Sequence, residues 1–235
     1  MRYSGYGDEI MMKPELLILG NSESRVVVVD DFTGACDHIR ALASDLAPFP
    51  PHTVYYPGVR RIVTPQDTTA HDYMHRLLID ASPYIGGAFD IDRFDWIEGS
   101  FSMITRPPET LGPRQRAPHI DTVEAKYLAI LHYLSDTPGT GTAFFRQRST
   151  GIERVTADNF DQYVAAAQVD NPQATGYING SDPWFEQIGQ VDAKPDRLVI
   201  YEGCLLHSGI IPPDMVLSDD PRIGRLTTNI FIRGR

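Results

Sequence analysis

Near the start of the chain, a continuous run of apolar residues is followed by a segment in which apolar residues recur at helical spacing. The β-branched run RVVVVDDF predicts a buried strand, because its apolar residues follow one another without helical spacing. The next segment, ACDHIRALASDLAPF, has apolar residues at Ile39, Leu42 and Leu46, which predicts an amphipathic helix. Prolines after this segment end the helix, and a second helix is predicted over about residues 65–84. A strand and two helices are therefore expected at the N-terminal side.

From residue 94 onward the pattern changes to short strand-like runs separated by turn residues. These runs are DWIEGSFSMIT, HIDTV, KYLAILHYL, AFFR, DRLVIYEG, CLLHSGII and RLTTNIFI. A less regular insertion spans about residues 149–196, with short helices predicted at DNFDQYVAAA and DPWFEQIG. Because helices do not alternate with the strands, the pattern favours an antiparallel barrel or sandwich over a parallel α/β sheet. The predicted fold class is mainly β with flanking helices, an α+β arrangement.

Length and charge narrow the classes of protein further. A chain of 235 residues can bury one sizeable core, so we expect a single domain over residues 1–235, with 1–93 supporting a core formed by 94–235. The net charge of -10 disfavours nucleic acid and anionic membranes as partners. Cys36 and Cys204 lie far apart, which suggests neither a zinc ribbon nor a disulfide scaffold. With no signal-peptide pattern at the N-terminus, a cytoplasmic location is expected.

One candidate metal motif lies in the second predicted helix. TAHDYMHRLL places His71 and His75 four residues apart, which puts both imidazoles on one helix face. The string is similar to the zinc-binding helix of metallohydrolases, but Asp72 is shorter than the glutamate those enzymes use as a base. No third ligand follows. The polar face of an amphipathic helix accounts better for the pattern, with the apolar face formed by Tyr73, Leu77 and Leu78.

A second candidate begins at His119 in RQRAPHIDTVEA. Residues two apart on a strand point the same way, so His119 and Asp121 can both face the interior. Composition alone would produce one such triplet at roughly even odds, so the triplet needs support from elsewhere. His207, within the strand-like LVIYEGCLLHSGII, can supply a third ligand. Two histidines and one carboxylate on one face of a metal leave the other positions open, as in non-haem Fe(II) sites. A buried structural His207 and a loop-end His119 are the simpler alternatives.

Arg225 adds support from the last predicted strand, GRLTTNIFI. By alternation, Thr227 shares the face of Arg225. An inward arginine with a hydroxyl two residues later can bind a carboxylate through charge-assisted hydrogen bonds. Such a pair suits a dicarboxylate co-substrate, although an ion pair with a surface acid would explain an isolated arginine.

The order of HxD, distal histidine and R-x-T resembles that of the Fe(II)- and 2-oxoglutarate-dependent dioxygenases. The resemblance is closest to the branch of the prolyl hydroxylases and to a bacterial family of unassigned function within that superfamily. It extends to RVVVVDDFTGACDHIRALA, YLAILHYLSDTPGTGTAFF and DRLVIYEGCLLHSGI, and covers about residues 24–46 and 94–232. It implies a double-stranded β-helix, which is a jelly-roll or cupin-like barrel, preceded by N-terminal helices.

The resemblance also implies a site and an activity. His119, Asp121 and His207 would ligate Fe(II), and Arg225 would bind the far carboxylate of 2-oxoglutarate beside Thr227. The expected enzyme is a 2-oxoglutarate-dependent dioxygenase of the hydroxylase type, with succinate and CO2 as co-products. A carboxylate at Asp121 disfavours halogenation, because halogenating relatives carry a small residue there.

The chain departs from the family pattern at three places. The gap between His207 and Arg225 is longer because of IPPDMVLSDDPRIG, and RPPETLGPRQRAP replaces a compact loop before the HxD. SFSMIT lacks the tyrosine that many relatives offer to 2-oxoglutarate. Tyr127, and after it Tyr133, are the candidates to replace that tyrosine as cofactor-binding residues.

The substrate is the least determined part of the prediction. A small molecule or an amino-acid-type substrate is expected with dioxygen, without nucleic acid or membrane, and a homodimer stays open. Loops and the insertion are candidates to shape the substrate site, with Trp184 and Phe185 in the insertion and a basic rim at Arg106, Arg114 and Arg116. The alternative function is a non-catalytic jelly-roll protein that binds a metal or ligand.

Overall fold

The computed structural model describes residues 14–51, 56–170 and 175–235, and side chains in all of these except residue 170. These residues form ten strands, three α-helices and two short 3-10 turns at Pro108–Thr110 and Pro113–Gln115. The strands are β1 Pro14–Leu19, β2 Ser24–Val29, β3 Gly58–Ile62, β4 Phe94–Ile104, β5 Tyr127–Tyr133, β6 Gly141–Gln147, β7 Phe185–Asp192, β8 Arg197–Glu202, β9 His207–Ile210 and β10 Leu226–Gly234. The helices are α1 Cys36–Asp45, α2 Thr68–Phe89 and α3 Phe160–Asp170.

The strands form two antiparallel sheets. The large sheet has the order β1-β2-β8-β5-β10-β4-β3, and the small sheet has the order β7-β6-β9. Two pairs of successive strands, β1–β2 and β3–β4, lie side by side in the large sheet, whereas β10 lies between β4 and β5. The architecture is a jelly-roll with flanking helices, so the predicted fold class is confirmed.

The outer face of the large sheet is covered by the two N-terminal helices. The apolar face of α2 includes Met74, Leu77 and Ile85, which are nearly inaccessible to solvent. They belong to one buried cluster with sheet residues such as Phe101 and Ile230. Burial of this apolar surface fixes the helices to the sheet. No described helix is both long and apolar enough to cross a membrane.

Strand alternation sends a different set of side chains to the inner face of the large sheet. On β10, Leu226 and Ile230 belong to the outer cluster, so Thr227, Asn229 and Phe231 point towards the small sheet. The inner apolar cluster consists of Val26, Val28, Ala129, Tyr133, Phe144, Val191, Val199, Tyr201 and Leu205. Polar positions on β4 and β10 interrupt this inner cluster and form one side of the candidate site.

Three local predictions differ from the structure. DPWFEQIG is not a helix, because Phe185 begins strand β7, which pairs with β6 in the small sheet. The last part of the predicted insertion is thus part of the jelly-roll. The segment at His119 is an isolated bridge and not a continuous strand. Helix α2 extends beyond the predicted end to Phe89 and contains Pro83. The helix predicted at DNFDQYVAAA is confirmed as α3.

Candidate metal centre

Two histidines and one aspartate converge between the sheets. One ligand atom from each of His119, Asp121 and His207 lies within 4.8 Å of the other two. Backbone hydrogen bonds of 2.9 Å run in both directions between His119 and His207. The Asp121 amide donates to the Gly203 carbonyl at 2.8 Å. These bonds hold an otherwise irregular loop against β9, so the three predicted ligand residues are brought together.

The orientation of His207 suits a metal ligand. Its Nδ1 lies 2.7 Å from the carbonyl oxygen of Leu205, which can only accept a hydrogen bond. The Nδ1 proton therefore occupies that position, and Nε2 keeps its lone pair, 3.7 Å from Asp121 Oδ2. The ring packs edge-on against Tyr201, with centroids 4.8 Å apart. The tautomer and direction of the imidazole are thus both fixed by its neighbours.

The electrostatic state of the cluster also favours a cation. Burial lowers the pKa of His207 to about 4, so this imidazole is neutral at pH 7. Desolvation of the ring, and then the charge of His207, also lower the pKa of His119, although part of that residue is open to solvent. Burial raises the pKa of Asp121 to about 6, while His119 and Arg60 oppose the increase. The residue is exposed mainly through its backbone, since only 17% of its side chain is accessible. The cluster thus combines neutral imidazole nitrogens with a carboxylate whose ionised form is disfavoured by burial. A divalent cation bound to this donor set would stabilise the ionised carboxylate.

Gly203 allows the loop to approach the sheet closely. A Cβ at this position would lie 2.9 Å from Cδ1 of Tyr127 and 3.3 Å from Cβ of Asp121. The Gly203 amide also donates to the Tyr127 carbonyl at 2.8 Å. A larger side chain here would push apart the aromatic ring and the loop that carries Asp121.

Arg225 is buried immediately before β10, with 5% of the residue exposed. Its Nη2 donates to the Gly141 carbonyl at 2.9 Å, and its guanidinium lies 5.5 Å from the centroid of the Tyr133 ring. Its buried Nε has no hydrogen-bond partner within the described ranges. No described carboxylate lies within ion-pair distance either. A buried cation in this state favours an anionic ligand.

Thr227 lies on the same inner face as Arg225. Its hydroxyl accepts a hydrogen bond of 3.2 Å from Nδ2 of Asn229. The residue is buried and stands opposite Ser102 of β4. The Thr227 hydroxyl also donates a long hydrogen bond of 3.5 Å to the Ser102 carbonyl. Thr227 thus points into the barrel, as predicted from strand alternation.

The two candidate tyrosines occupy different ends of the site. Tyr133 lies beneath Arg225 and its hydroxyl is 2.6 Å from that of Thr142. Tyr127 stacks on Phe231, with centroids 5.8 Å apart, and lies beside Gly203 and Asp121. Burial, and then the charge of Asp121, raise the pKa of Tyr127 to about 12. Tyr133 is thus the tyrosine beside the arginine, whereas Tyr127 is at the metal end.

Sequence reasoning missed several residues of this interior. Arg60 of β3 and Glu98 of β4 form a 2.8 Å ion pair inside the barrel, and Ser100 accepts a 2.8 Å hydrogen bond from Nε of Arg60. A signal was present for β4. The alternation in EGSFSMI places Glu98, Ser100 and Ser102 on one face, opposite the apolar Phe101.

The basic rim and the insertion meet at a separate cleft. Its volume is about 240 Å³, and its lining residues are Arg116, Thr175, Tyr177, Ile178, Asn179, Asp182 and Trp184. Trp184 and Ile120, which belongs to the metal-site loop, both pack against a third apolar cluster, in which Phe185 is buried. Arg106 instead faces Gln115 at 3.3 Å. Of the predicted rim, only Arg116 lines this cleft.

The alternative histidine pair does not form a metal cluster. In the part of the chain that the structure describes, the two clusters that could hold a metal exclude His71 and His75. His71 packs against Trp96 with centroids 4.7 Å apart, and His75 is exposed. The second cluster contains Cys36, His132 and Asp196, but both ring nitrogens of His132 are already hydrogen-bonded. The His119 cluster is therefore the stronger candidate.

Solved structures that share this architecture include proteins that bind iron or 2-oxoglutarate. HygX from Streptomyces hygroscopicus, solved with iron bound, matches 90% of this chain and 82% of its own, with 13% identity and a TM-score of 0.54. Its form with nickel and 2-oxoglutarate matches 90% and 83%, with 14% identity and a TM-score of 0.52. SnoN, a non-heme alpha-ketoglutarate-dependent epimerase from nogalamycin biosynthesis, matches 89% and 78%, with 12% identity and a TM-score of 0.54. The predicted resemblance is confirmed at the level of the fold.

The sequence itself places the chain in a family. The profile of DUF6445, described as a family of unknown function, matches residues 11–232, so the chain belongs to that family. A comparison with curated protein sequences finds no match.

Proposed function

We propose that the protein is an Fe(II)- and 2-oxoglutarate-dependent oxygenase that hydroxylates a small molecule or an amino-acid side chain. The main support is the convergence of His119, Asp121 and His207, whose ligand atoms lie within 4.8 Å of one another. HygX and SnoN support the proposal because the same fold serves iron and 2-oxoglutarate in those proteins.

The donor set fits iron. Two imidazole nitrogens and a carboxylate oxygen suit Fe(II), and three protein ligands leave positions for a chelating co-substrate and dioxygen. His207 would bind through Nε2, because its Nδ1 donates to Leu205. Asp121 would also help to neutralise the metal charge, and its presence disfavours a halide ligand at that position.

Arg225 fits the far carboxylate of 2-oxoglutarate. It is buried, has no described acidic partner and keeps Nε free of hydrogen bonds within the described residues. Thr227 would add a hydroxyl donor, and Tyr133 would fix the guanidinium through its ring. Tyr127, expected to bind the co-substrate, would line the metal end of the site.

The proposed reaction uses the residues for positioning and exclusion of water. Bound Fe(II) would supply the oxidising chemistry that links dioxygen to both substrates. Overall, one oxygen atom enters a substrate C–H bond as a hydroxyl, and the other enters the succinate formed as 2-oxoglutarate loses CO2. The buried aromatic residues Phe144 and Tyr201, 5.2 Å apart, keep the deep side of the metal centre dry.

Succinate formation under air tests this function. We expect slow, oxygen-dependent succinate formation by the wild-type protein with Fe(II) and 2-oxoglutarate, even without a substrate. His207→Ala should reduce succinate to the level without protein, because a metal ligand is lost. The control, His75→Ala, removes an exposed histidine and should behave as wild type.

Two outcomes would contradict the proposal. Wild-type protein that binds Fe(II) and 2-oxoglutarate but forms no succinate would be a non-catalytic binder. Zinc binding that survives His119→Ala and is lost in His75→Ala would instead favour the metallohydrolase-like helix.

A further inference from the structure

A second arginine lies inside the barrel and differs from Arg225 in its surroundings. Arg60 stands opposite Ser102 on the β3–β4 ladder, and its side chain, 14% exposed, runs along β4 towards Glu98. Its guanidinium lies 5.5 Å from the centroid of the Phe231 ring. The chain thus holds a cation on the inner wall, at the end of β10 opposite to Arg225.

Arg60 and Glu98 form an ion pair in which some of the hydrogen-bonding atoms have no partner among the described residues. Nη2 of Arg60 lies 2.8 Å from Oε1 of Glu98, and Nε donates to Ser100. Beyond these contacts, the terminal nitrogens of Arg60 and the oxygens of Glu98 have no polar partner in residues 14–51, 56–170 and 175–235. Both groups therefore keep hydrogen-bonding capacity for a ligand.

The pair lies next to the candidate metal centre. Phe231, below Arg60, stacks on Tyr127, and the Tyr127 ring lies beside Gly203 and Asp121. Phe231 and Glu98 are also paired in register on β10 and β4. A molecule held by the pair would be presented to the metal over an aromatic surface.

The two arginines suit different ligands. Arg225 has no described acidic partner, so its surroundings favour a net anion such as the end of 2-oxoglutarate. Arg60 is neutralised by Glu98, so the pair as a whole favours a ligand without net charge that carries both signs. The attraction within a half-buried ion pair is largely offset by the cost of removing both charges from water, so the pair adds little to the stability of the fold. Ligand recognition is therefore the better explanation for its presence.

We propose that Arg60 and Glu98 bind the carboxylate and the ammonium of a free α-amino acid, whose side chain then faces the metal centre. The inference rests on the proposed oxygenase function and names the substrate class. Standard bond lengths place the ammonium nitrogen and the nearer carboxylate oxygen of an α-amino acid about 3 Å apart. This separation is close to the 2.8 Å between Nη2 of Arg60 and Oε1 of Glu98, and an ω-amino acid, whose charged groups lie farther apart, fits less well.

Binding to the nickel form of the protein tests the inference without turnover. Protein loaded with Ni(II) and 2-oxoglutarate is titrated in a calorimeter with each of the twenty standard L-amino acids. We expect at least one to bind. Its decarboxylated amine, its deaminated acid and 6-aminohexanoate should each bind at least about tenfold more weakly, because each loses a charge-assisted hydrogen bond or its geometry.

Charge-specific variants separate recognition from a structural role. Arg60→Gln should weaken amino-acid binding about tenfold to a hundredfold and remove the preference for the amino acid over its amine. Glu98→Gln should remove the preference over the deaminated acid. Arg60→Lys should recover part of the affinity. The control Arg61→Gln changes the neighbouring residue, which bonds to Asp67 outside the barrel, and should bind as wild type.

The outcomes distinguish this inference from the proposed function. If wild-type protein does not bind Ni(II) and 2-oxoglutarate, both the function and the inference fail. If it binds both but no amino acid, or if Arg60→Gln and Glu98→Gln keep the wild-type preferences, the inference alone is wrong.

Discussion

Arg225 is a buried guanidinium that contacts the Gly141 carbonyl and lies over the Tyr133 ring. Within the described part of the chain it has no carboxylate partner, whereas Arg60, Arg146 and Arg197 each pair with an acid. Leaving a buried charge unpaired costs free energy that an anionic ligand would recover. At the residue scale, this contrast supports the proposal that Arg225 binds the far carboxylate of 2-oxoglutarate.

Replacing this arginine should affect 2-oxoglutarate and not the metal. In Arg225→Gln we expect the Kd for 2-oxoglutarate to rise about tenfold to a hundredfold, because charge-assisted hydrogen bonds are lost. The affinity for Ni(II) alone should stay near that of wild type, since Arg225 is not part of the metal cluster. Calorimetric titrations of the two ligands measure both values.

A surface arginine provides the matched control. Arg222 lies three residues upstream and pairs with Asp220 in solvent, so Arg222→Gln should leave both affinities unchanged. An unchanged Kd for 2-oxoglutarate in folded Arg225→Gln would contradict the assignment.

The candidate site residues could be proposed from the sequence because residue type and strand alternation place them on inward faces. His119, Asp121, His207 and Arg225 were each assigned from residue type, spacing and position on a strand-like run. The structure brings the first three together through the bridge between His119 and His207, although that bridge is too short to count as a strand.

Other residues could not be assigned from local pattern. Tyr127 and Tyr133 share one face of β5, so alternation cannot say which of them meets Arg225. Arg60 is adjacent to Arg61 in the short strand GVRRI. The sequence alone does not show which of the two side chains points into the barrel. The inward position of Arg60 depends on pairing with β4, a contact between residues distant along the chain.

At the scale of elements, a buried hydrogen-bond network joins the helical layer to the large sheet. The Tyr73 hydroxyl of α2 lies 2.7 Å from Nδ1 of His132 on β5, and Nε2 of His132 lies 2.8 Å from Asp196. Asp196 also accepts hydrogen bonds from Thr33 and from the Gly34 amide ahead of α1. The network therefore ties both helices to the sheet that carries the site.

This network should make stability sensitive to acid. Burial alone would raise the pKa of Asp196, but hydrogen bonds from His132, Thr33 and Gly34 outweigh burial and lower it to about 2. The carboxylate therefore stabilises the fold fully above its ordinary pKa of 3.8, and this contribution is lost as pH falls towards 2. Between pH 5 and pH 3 the loss is about 1 kcal/mol from this group.

Urea unfolding of Asp196→Asn at pH 7, 5 and 3 tests this expectation. The variant should be less stable than wild type at pH 7, because an amide cannot accept all the hydrogen bonds of the carboxylate. The difference should shrink towards pH 3. Asp80→Asn, on the exposed face of α2, should follow the wild-type pH dependence. A difference that stays constant with pH would contradict the role of the Asp196 charge.

Element prediction succeeded where the order of apolar residues is typical of only one kind of element. The repeated valines of β2 and the spaced apolar residues of α1 have patterns that only one structure satisfies well. The helix predicted for the segment that contains Trp184 and Phe185 was wrong, because the spacing of its few apolar residues fits a helical turn as well as a strand. Its strand conformation is set by hydrogen bonds to β6, which local pattern does not show.

At the scale of the whole molecule, the helical layer covers the core and the two sheets carry the candidate site residues. Helices α1 and α2 cover the outer face of the large sheet, so its inner face can carry polar residues without losing the core. The small sheet contributes His207, and the large sheet contributes Arg60 and Glu98, with Arg225 directly before β10. The candidate metal centre, the candidate co-substrate site and the candidate substrate pair therefore all depend on the packing of the two sheets.

The most direct test of this account is the visible absorption of the protein after anaerobic addition of Fe(II) and 2-oxoglutarate. We predict a metal-to-ligand charge-transfer band for wild type and for His75→Ala, because both keep the metal ligands and Arg225. His207→Ala should show no band. A folded wild-type protein without the band, or a His207→Ala variant that retains it, would contradict the proposed iron and 2-oxoglutarate site.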